Sequence, residues 1–359
     1  MLINCQAHID VEALRHNLQQ VRKRALHSKV LAMIKSNGYG HELLAVAKAL
    51  QDADGFGLAR LQEAKALREA GITTPMVLME GFLSEEELQL VCRYNFSVVL
   101  HQQWQVELLL ARPISEKIKV WLKIETGMHR LGLMPQQAHD YYAQLKQCPW
   151  IDNDIGLMTH FACAEEVHNP LTRKQLQSFD AITAELSGEK STANSAAIIT
   201  NKNSHRDWVR PGLMLFGVSP IAEQSALDLN LRPVMTLTSR LIAKRELNKG
   251  AAIGYGSSWR CPETMAVGIV AAGYGDGYPR EVSSGTPVLL RNKLCSILGR
   301  VSMDMISIDL RQCPEANIGD TVTLWGRGLP VELIAEHANT IPYPLLTGVT
   351  KRVDYTIHD

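Results

Sequence analysis

Short apolar runs recur along the first two thirds of the chain. Each is followed by a stretch whose apolar positions fall three and four apart. The first helix reads over residues 10–26, where Asp10 can cap it and Leu14, Leu18, Val21 and Ala25 share one face. Residues 30–34 are wholly apolar and stop at Lys35, 36–40 form a glycine turn, and 41–50 read as helix. The alternation returns with strands at 55–59, 75–80, 96–101, 119–125 and 154–160, and helices at 60–70, 84–93, 102–111, 135–147 and 170–186. Shorter strand candidates lie at 191–195 and 208–210. Such alternation predicts a parallel sheet with crossover helices. Eight strand candidates over this length predict an α/β fold of the closed (β/α)8, TIM type rather than an open sheet.

From about residue 232 the rhythm changes. Leu237, Leu241 and Ile242, then 267–271, 288–290, 305–310 and 322–325, are short apolar runs split by Gly and Pro. This predicts a barrel over 1–231 and a mostly β domain over 232–359. Lys35, His101, Lys123, His160, Ser195 and Arg210 fall at C-terminal ends of the predicted barrel strands. In barrel enzymes that face carries the active site.

Charge is balanced, with 37 Lys plus Arg against 37 Asp plus Glu in 359 residues. No basic excess points to a nucleic-acid or anionic-membrane partner. No uncharged apolar run approaches the roughly 20 residues of a membrane span, and the first ten residues show no export leader. The seven cysteines are scattered without a Cys-x-x-Cys pair, which fits free thiols in a reducing cytoplasm. The histidines include no His-Glu-x-x-His, so no metal site is expected.

Glycine is dense at 254–256 and 273–277, yet neither segment is a dinucleotide or P-loop fingerprint, and tight turns account for both. Lys35 is more informative. It ends an apolar strand and begins a glycine turn, where an ammonium is partly desolvated. Such a lysine is either an ordinary surface group or one that sheds its proton to act as nucleophile or base. Lysine is also the residue that binds an aldehyde cofactor covalently.

The segment AMIKSNGYGH at 32–41 resembles the pyridoxal-phosphate attachment segment of alanine racemases. Further segments resemble that family in the same order: KIETGMHRLG at 123–132, WVRPG at 208–212, GYG at 254–256, GYGDGYPR at 273–280 and GRVSMDM at 299–305. Ser36 and Gly38 stand where the family usually has Ala. The resemblance spans nearly the whole chain. It implies the same barrel-plus-β fold and a cytoplasmic, pyridoxal 5'-phosphate-dependent enzyme interconverting L- and D-alanine, for peptidoglycan supply or alanine breakdown. It implies two catalytic bases, Lys35 on the D side and Tyr255 on the L side. Read alone, Tyr255 would be a turn tyrosine.

The resemblance also implies that Lys35 carries the cofactor and that Arg210, oriented by His160, faces its pyridine nitrogen. Tyr39, Ser195, Gly212, Leu213 and Tyr343 would bind its phosphate. Arg130, Tyr274, Met303 and Asp304 would complete the substrate site. In the family Tyr255, Tyr274, Met303 and Asp304 come from the partner subunit, so a homodimer with composite sites is expected. Lys123 matches a position that is carbamylated in some members. A racemase for serine or basic amino acids remains open beside these expectations. A non-catalytic pyridoxal-phosphate carrier would lack the β domain and Tyr255.

Overall fold

The computed structural model of the chain describes residues 5–114 and 116–358; residues 1–4, where the no-leader reading begins, lie outside them. The first strand, β1 (Gln6–Asp10), is followed by the eight barrel strands: β2 (Lys29–Met33), β3 (Gly55–Leu58), β4 (Met76–Leu78), β5 (Ser97–Leu100), β6 (Val120–Lys123), β7 (Gly156–Met158), β8 (Lys190–Asn194) and β9 (Trp208–Arg210). They pair in parallel in sequence order, and β9 closes on β2 through Lys29 opposite Trp208 and Val30 opposite Val209. Nearly every barrel-strand residue is buried, because the interior and the helical ring cover both faces. The helices fall where helical spacing placed them. The first, Val11–Arg24, is capped by the Asp10 carboxylate, which accepts from the Ala13 amide at 2.8 Å, and it buries Leu14, Leu18 and Val21 against the barrel.

The second unit is built on β10 (Met235–Leu247), the longest strand. The sequence pattern shows only its beginning, because its second half is charged. The structure supplies the reason. β10 bulges between Leu241 and Ala243, giving its first half to β17 (Thr321–Trp325) and its second half to β13 (Met265–Val270). Between them come the short pair β11 (Ala252–Ile253) and β12 (Trp259–Arg260), which flank the turn carrying Tyr255. The hairpin β14 (Pro287–Leu290) and β15 (Lys293–Ser296) pairs with β17, and β16 (Ile306–Asp309) pairs with β13. The last strand, β18 (Asp354–His358), runs parallel to β1. Thus β1 precedes the barrel in sequence but lies between β10 and β18 in the second unit's sheet.

One apolar core runs through barrel and β sheet alike. A second, small one of Ile253, Cys261, Met265, Val267 and Leu298 lies beneath the Tyr255 turn. All seven cysteines are free. Among the described residues no helix is long and apolar enough to cross a membrane.

The N-terminal mouth of the barrel is closed by ion pairs at the strand starts. Glu189 accepts from Lys29 at 2.6 Å and from Lys119 at 3.1 Å, and Lys119 also pairs with Asp154 at 3.0 Å. Burial opposes the charge on Glu189, but the hydrogen bonds from Lys29 and Lys119 outweigh it and bring its pKa down to about 2. A depressed carboxyl stabilises the fold above its unfolded value and loses that contribution as pH falls toward the folded value. Between about pH 4.5 and pH 2 the wild type should therefore lose on the order of 2 kcal/mol that Glu189→Gln has already lost at neutral pH. Urea midpoints measured from pH 6 to pH 3 should converge for the two proteins; parallel curves would exclude this role for Glu189.

Candidate active site

Four cationic groups and a histidine meet at the C-terminal mouth of the barrel. Lys35 follows β2 and is half-buried. Burial and the nearby Arg130 guanidinium lower its pKa, against the smaller opposing pull of Glu80 and Glu63. Lys123 ends β6 and is buried. Burial, then Arg210 and Arg130, bring its pKa down to about 8. Arg210 ends β9 and is 3% exposed, and burial lowers its pKa to about 10, so it remains a cation at neutrality.

The Arg210 guanidinium is held from several sides. It donates to Ser191 Oγ at 2.7 Å, to Thr159 O at 2.6 Å, to Thr192 O at 3.4 Å and to His160 Nδ1 at 3.2 Å. An arginine has no acceptor, so Nδ1 of His160 accepts and its hydrogen sits on Nε2. Burial and the surrounding cations, Arg210 foremost, hold His160 well below its usual pKa, hence neutral.

The loop that leads to Arg130 is shaped by a carboxylate that the sequence pattern does not single out. Glu125 is buried and accepts from the amides of Gly127, Met128 and His129. That folds the loop after β6 back on itself immediately before Arg130. Burial works against the charge of Glu125, but these amides outweigh it and lower its pKa. Its spacing just before a Gly-containing loop was the available sequence signal.

A set of neutral donors lies beside the cations. Gly212 N–H donates to Ser195 Oγ at 2.8 Å and Met214 N–H does so at 3.4 Å. The serine hydrogen is left for a further acceptor. Gly212 is required there, since a Cβ would come 2.4 Å from Tyr39 Oη and 3.6 Å from Met33 Cβ. Tyr39, Ser195 and the 212–214 backbone therefore share one spot against β2. Leu213 opens the 3-10 turn Leu213–Phe216 at its edge. Tyr343 joins them from the helix Pro342–Thr347, its ring 5.9 Å from that of Tyr39. Neutral hydroxyls and amides with cations behind them suit a phosphate. A half-buried lysine of lowered pKa suits an aldehyde. This donor set fits pyridoxal phosphate.

Between Lys35 and this spot the chain takes an unusual path. Ser36, Asn37, Gly38 and Tyr39 all have φ between +53° and +61°. They make one turn of left-handed helix, which costs L-residues roughly 1–2 kcal/mol each. Gly40 follows at φ +82°, where a Cβ would meet Leu346 O of the β unit at 2.1 Å.

The remaining expected residues gather elsewhere, on the β unit. Tyr255 sits 70% exposed on its turn, beside Arg300. Tyr274 N–H donates to Ser302 O at 3.1 Å and Gly275 N–H to Met303 O at 2.9 Å, which joins the 273–277 turn to the 302–305 loop. Arg352 ties both down, pairing with Asp276 at 2.9 Å and Asp304 at 2.7 Å. Tyr255, Tyr274 and Met303 are exposed large side chains in the single chain. The structure thus groups Lys35, Tyr39, Lys123, Arg130, His160, Ser195, Arg210, Gly212, Leu213 and Tyr343 at the barrel mouth. It places Tyr255, Tyr274, Met303 and Asp304 on the outer side of the β unit.

Comparison with known proteins matches both units. Family models for the alanine racemase N-terminal and C-terminal domains match residues 9–220 and 234–357. The alanine racemase of Nitrosococcus oceani is 50% identical over 352 residues, covering 98% of this chain and 99% of its own. That of Coxiella burnetii is 48% identical over 354 residues, covering 97% of each. Among solved structures, the biosynthetic alanine racemase of Pseudomonas aeruginosa superposes with a TM-score of 0.97 at 40% identity, covering 100% of both chains. The Bartonella henselae alanine racemase, solved with covalently bound pyridoxal phosphate, gives 0.90 at 26% identity over 99% of this chain and 100% of its own.

Gly40 tests the junction between the units. Gly40→Ala combines a positive φ with overlap on a backbone carbonyl, so it should lower unfolding stability by about 3 kcal/mol or more. The urea midpoint measures this. A midpoint within error of the wild type would show that the carbonyl of Leu346 yields.

Proposed function

The chain belongs to the alanine racemase family, and on that footing we propose that it interconverts L-alanine and D-alanine, using pyridoxal 5'-phosphate held at the barrel mouth. The observation that carries this reading is the half-buried Lys35 of lowered pKa, set among cations beside a pocket of neutral anion donors. When bound, pyridoxal phosphate supplies an electron sink for the pair left on Cα once its proton is removed.

The protein's own residues do the rest. Lys35 Nζ holds the cofactor and, as a free amine, takes or gives the α-proton on the D side. Burial beside Arg130 keeps that amine closer to neutrality. One base on one face cannot serve both enantiomers. Tyr255 of the partner subunit serves the L side, in a homodimer whose sites take residues from both chains. The solvent-facing Tyr255, Tyr274 and Met303 of the single chain support that arrangement. A phenol of ordinary pKa about 10 needs a neighbouring cation to act as a base near neutrality; Arg130 supplies it and also binds the substrate carboxylate. Met303 and Asp304 of the partner subunit, with its Tyr274, close the substrate side.

Arg210 donates to the pyridine nitrogen without surrendering its proton, since its guanidinium remains charged. That limits electron withdrawal and side reactions. His160 fixes its orientation. Tyr39, Ser195, Tyr343 and the backbone at Gly212 and Leu213 bind the phosphate. The free thiols fit a cytoplasmic enzyme. The likeness to a biosynthetic racemase favours D-alanine supply, as for peptidoglycan, over alanine breakdown.

Lys123 is read as a carbamate. Only a neutral amine adds carbon dioxide, forming the N–C bond and releasing one proton. A pKa brought down to about 8 makes that amine available near neutrality. The resulting anion would accept hydrogen bonds from Arg130, replacing a clash of cations with a charge-assisted contact.

Borohydride reduction followed by peptide mapping should place the pyridoxyl group on Lys35, and a chiral assay across the amino acids should find alanine preferred. Label on another lysine, or preference for serine or basic amino acids, would overturn the respective part. In Tyr255→Phe, racemisation should fall about a hundredfold or more in both directions. Exchange of the α-proton with heavy water should then survive better for D-alanine than for L-alanine; equal exchange would contradict the assignment of faces. Lys123→Ala should lose about tenfold in activity, the worth of a charge-assisted hydrogen bond, and regain part of it in acetate. Full activity without any added anion would show that Arg130 needs no such support.

A further inference from the structure

The left-handed turn at residues 36–39 persists only if its surroundings fix its backbone. Its partners are side chains from three places. Glu63 accepts from the Asn37 amide at 2.7 Å and the Ser36 amide at 3.3 Å. The Tyr355 hydroxyl, from β18, donates to Gly40 O at 3.1 Å. The carbonyls between, Gly38 O and Tyr39 O, lie 3.2 and 2.9 Å from a single atom, Nδ1 of His41. Gly38 O also takes the backbone N–H of His41 at 3.0 Å.

Two carbonyl acceptors around Nδ1 require that it carry the hydrogen. Nε2 is then a bare lone pair, and it has no hydrogen-bond partner in the fully buried ring. Burial brings the pKa of this ring down to about 4, so it is neutral at working pH. An aliphatic side chain would fill the same space without leaving a polar nitrogen unpaired in the core. What His41 adds is the Nδ1 donor. The ring also packs 4.7 Å from Phe216, and Phe216 stacks 4.7 Å on Tyr39. His41 therefore reaches Tyr39 by two routes, through its carbonyl and through the shared phenylalanine.

We propose that His41 is a positioning residue for the cofactor. By holding the carbonyls of Gly38 and Tyr39 it fixes the left-handed turn. The turn in turn sets the Tyr39 hydroxyl beside Gly212 and Ser195 at one end and presents Lys35 at the other. His41 touches neither phosphate nor substrate. The inference rests on reading the barrel mouth as a pyridoxal-phosphate site.

The test compares His41→Asn, His41→Gln and His41→Leu. The asparagine amide places an N–H near the position of Nδ1. Glutamine carries its amide toward the position of Nε2, and leucine supplies no donor. Each full-length protein is stripped of cofactor with hydroxylamine, checked by circular dichroism and thermal unfolding, and titrated with pyridoxal phosphate by fluorescence quenching. The dissociation constant should rise about tenfold or more in the Leu and Gln variants, as expected when buried acceptors lose their donor, and Asn should recover most of it. At saturating cofactor, kcat should fall less than cofactor affinity does.

Equal affinity in wild type and His41→Gln overturns the proposal. So does a loss of melting temperature with unchanged affinity, which marks a purely structural role. If the Leu variant does not fold, the Asn and Gln pair decides. A wild type that takes no pyridoxal phosphate on Lys35 overturns the reading of the site, and this inference with it. A wild type that does so, beside a His41→Gln that binds as tightly, overturns the inference alone.

Discussion

Lys35, Lys123 and Arg210 share a poorly solvated mouth beside the exposed Arg130, and the nearby buried carboxylate, Glu125, is already committed to three backbone amides. Like charges repel more strongly as water is removed. That repulsion runs through the whole site. Burial first, and this repulsion after it, lower the pKa of both lysines and keep His160 neutral. The repulsion makes the mouth an attractor for phosphate and carboxylate groups. The barrel bears the strain because its strands are short, parallel and buried on both sides, so their ends are fixed whatever charge they carry.

The opposite mouth shows the same strands under a different electrostatic rule. There Lys29 and Lys119 meet Glu189 and Asp154, and the charges cancel. One end of the barrel is neutralised within the chain and serves the fold. The other gathers Lys35, Lys123, Arg130 and Arg210 without such pairing among the described residues.

The barrel was legible because parallel strands read as apolar runs and their helices as period 3.6. Lys35, Lys123 and Arg210 stand out in the sequence because they end those runs, whereas Arg130, in the loop after β6, was named only through the family resemblance. Other elements left a weaker trace. β1 alternates buried Ala7 and Ile9 with polar Gln6 and His8, and with so small a residue as alanine it carries little signal. β18 lies mostly exposed, and its place is set by pairing with β1 rather than by its own pattern. The short helices Val331–His337 and Pro342–Thr347 are too brief to show a period. Glu63 and Tyr355 were silent, and Glu125 left only its spacing before a glycine-containing loop, for a further reason. Each acts on backbone groups through a contact that exists only after folding. Glu63 and Tyr355 do so at distances in sequence that no local motif records.

The seating of Gly40 against Leu346, with the Tyr355 hydroxyl on its carbonyl, also orders events during synthesis. The barrel strands and Lys35 leave the ribosome well before residues 346 and 355 exist. A barrel closed on schedule would still have its lysine turn unsupported on one side. The backbone support of that turn is therefore complete only once Leu346 and Tyr355 have been made. The order of synthesis thus separates the making of the barrel strands from the seating of the turn at their mouth, which waits on residues of the β unit.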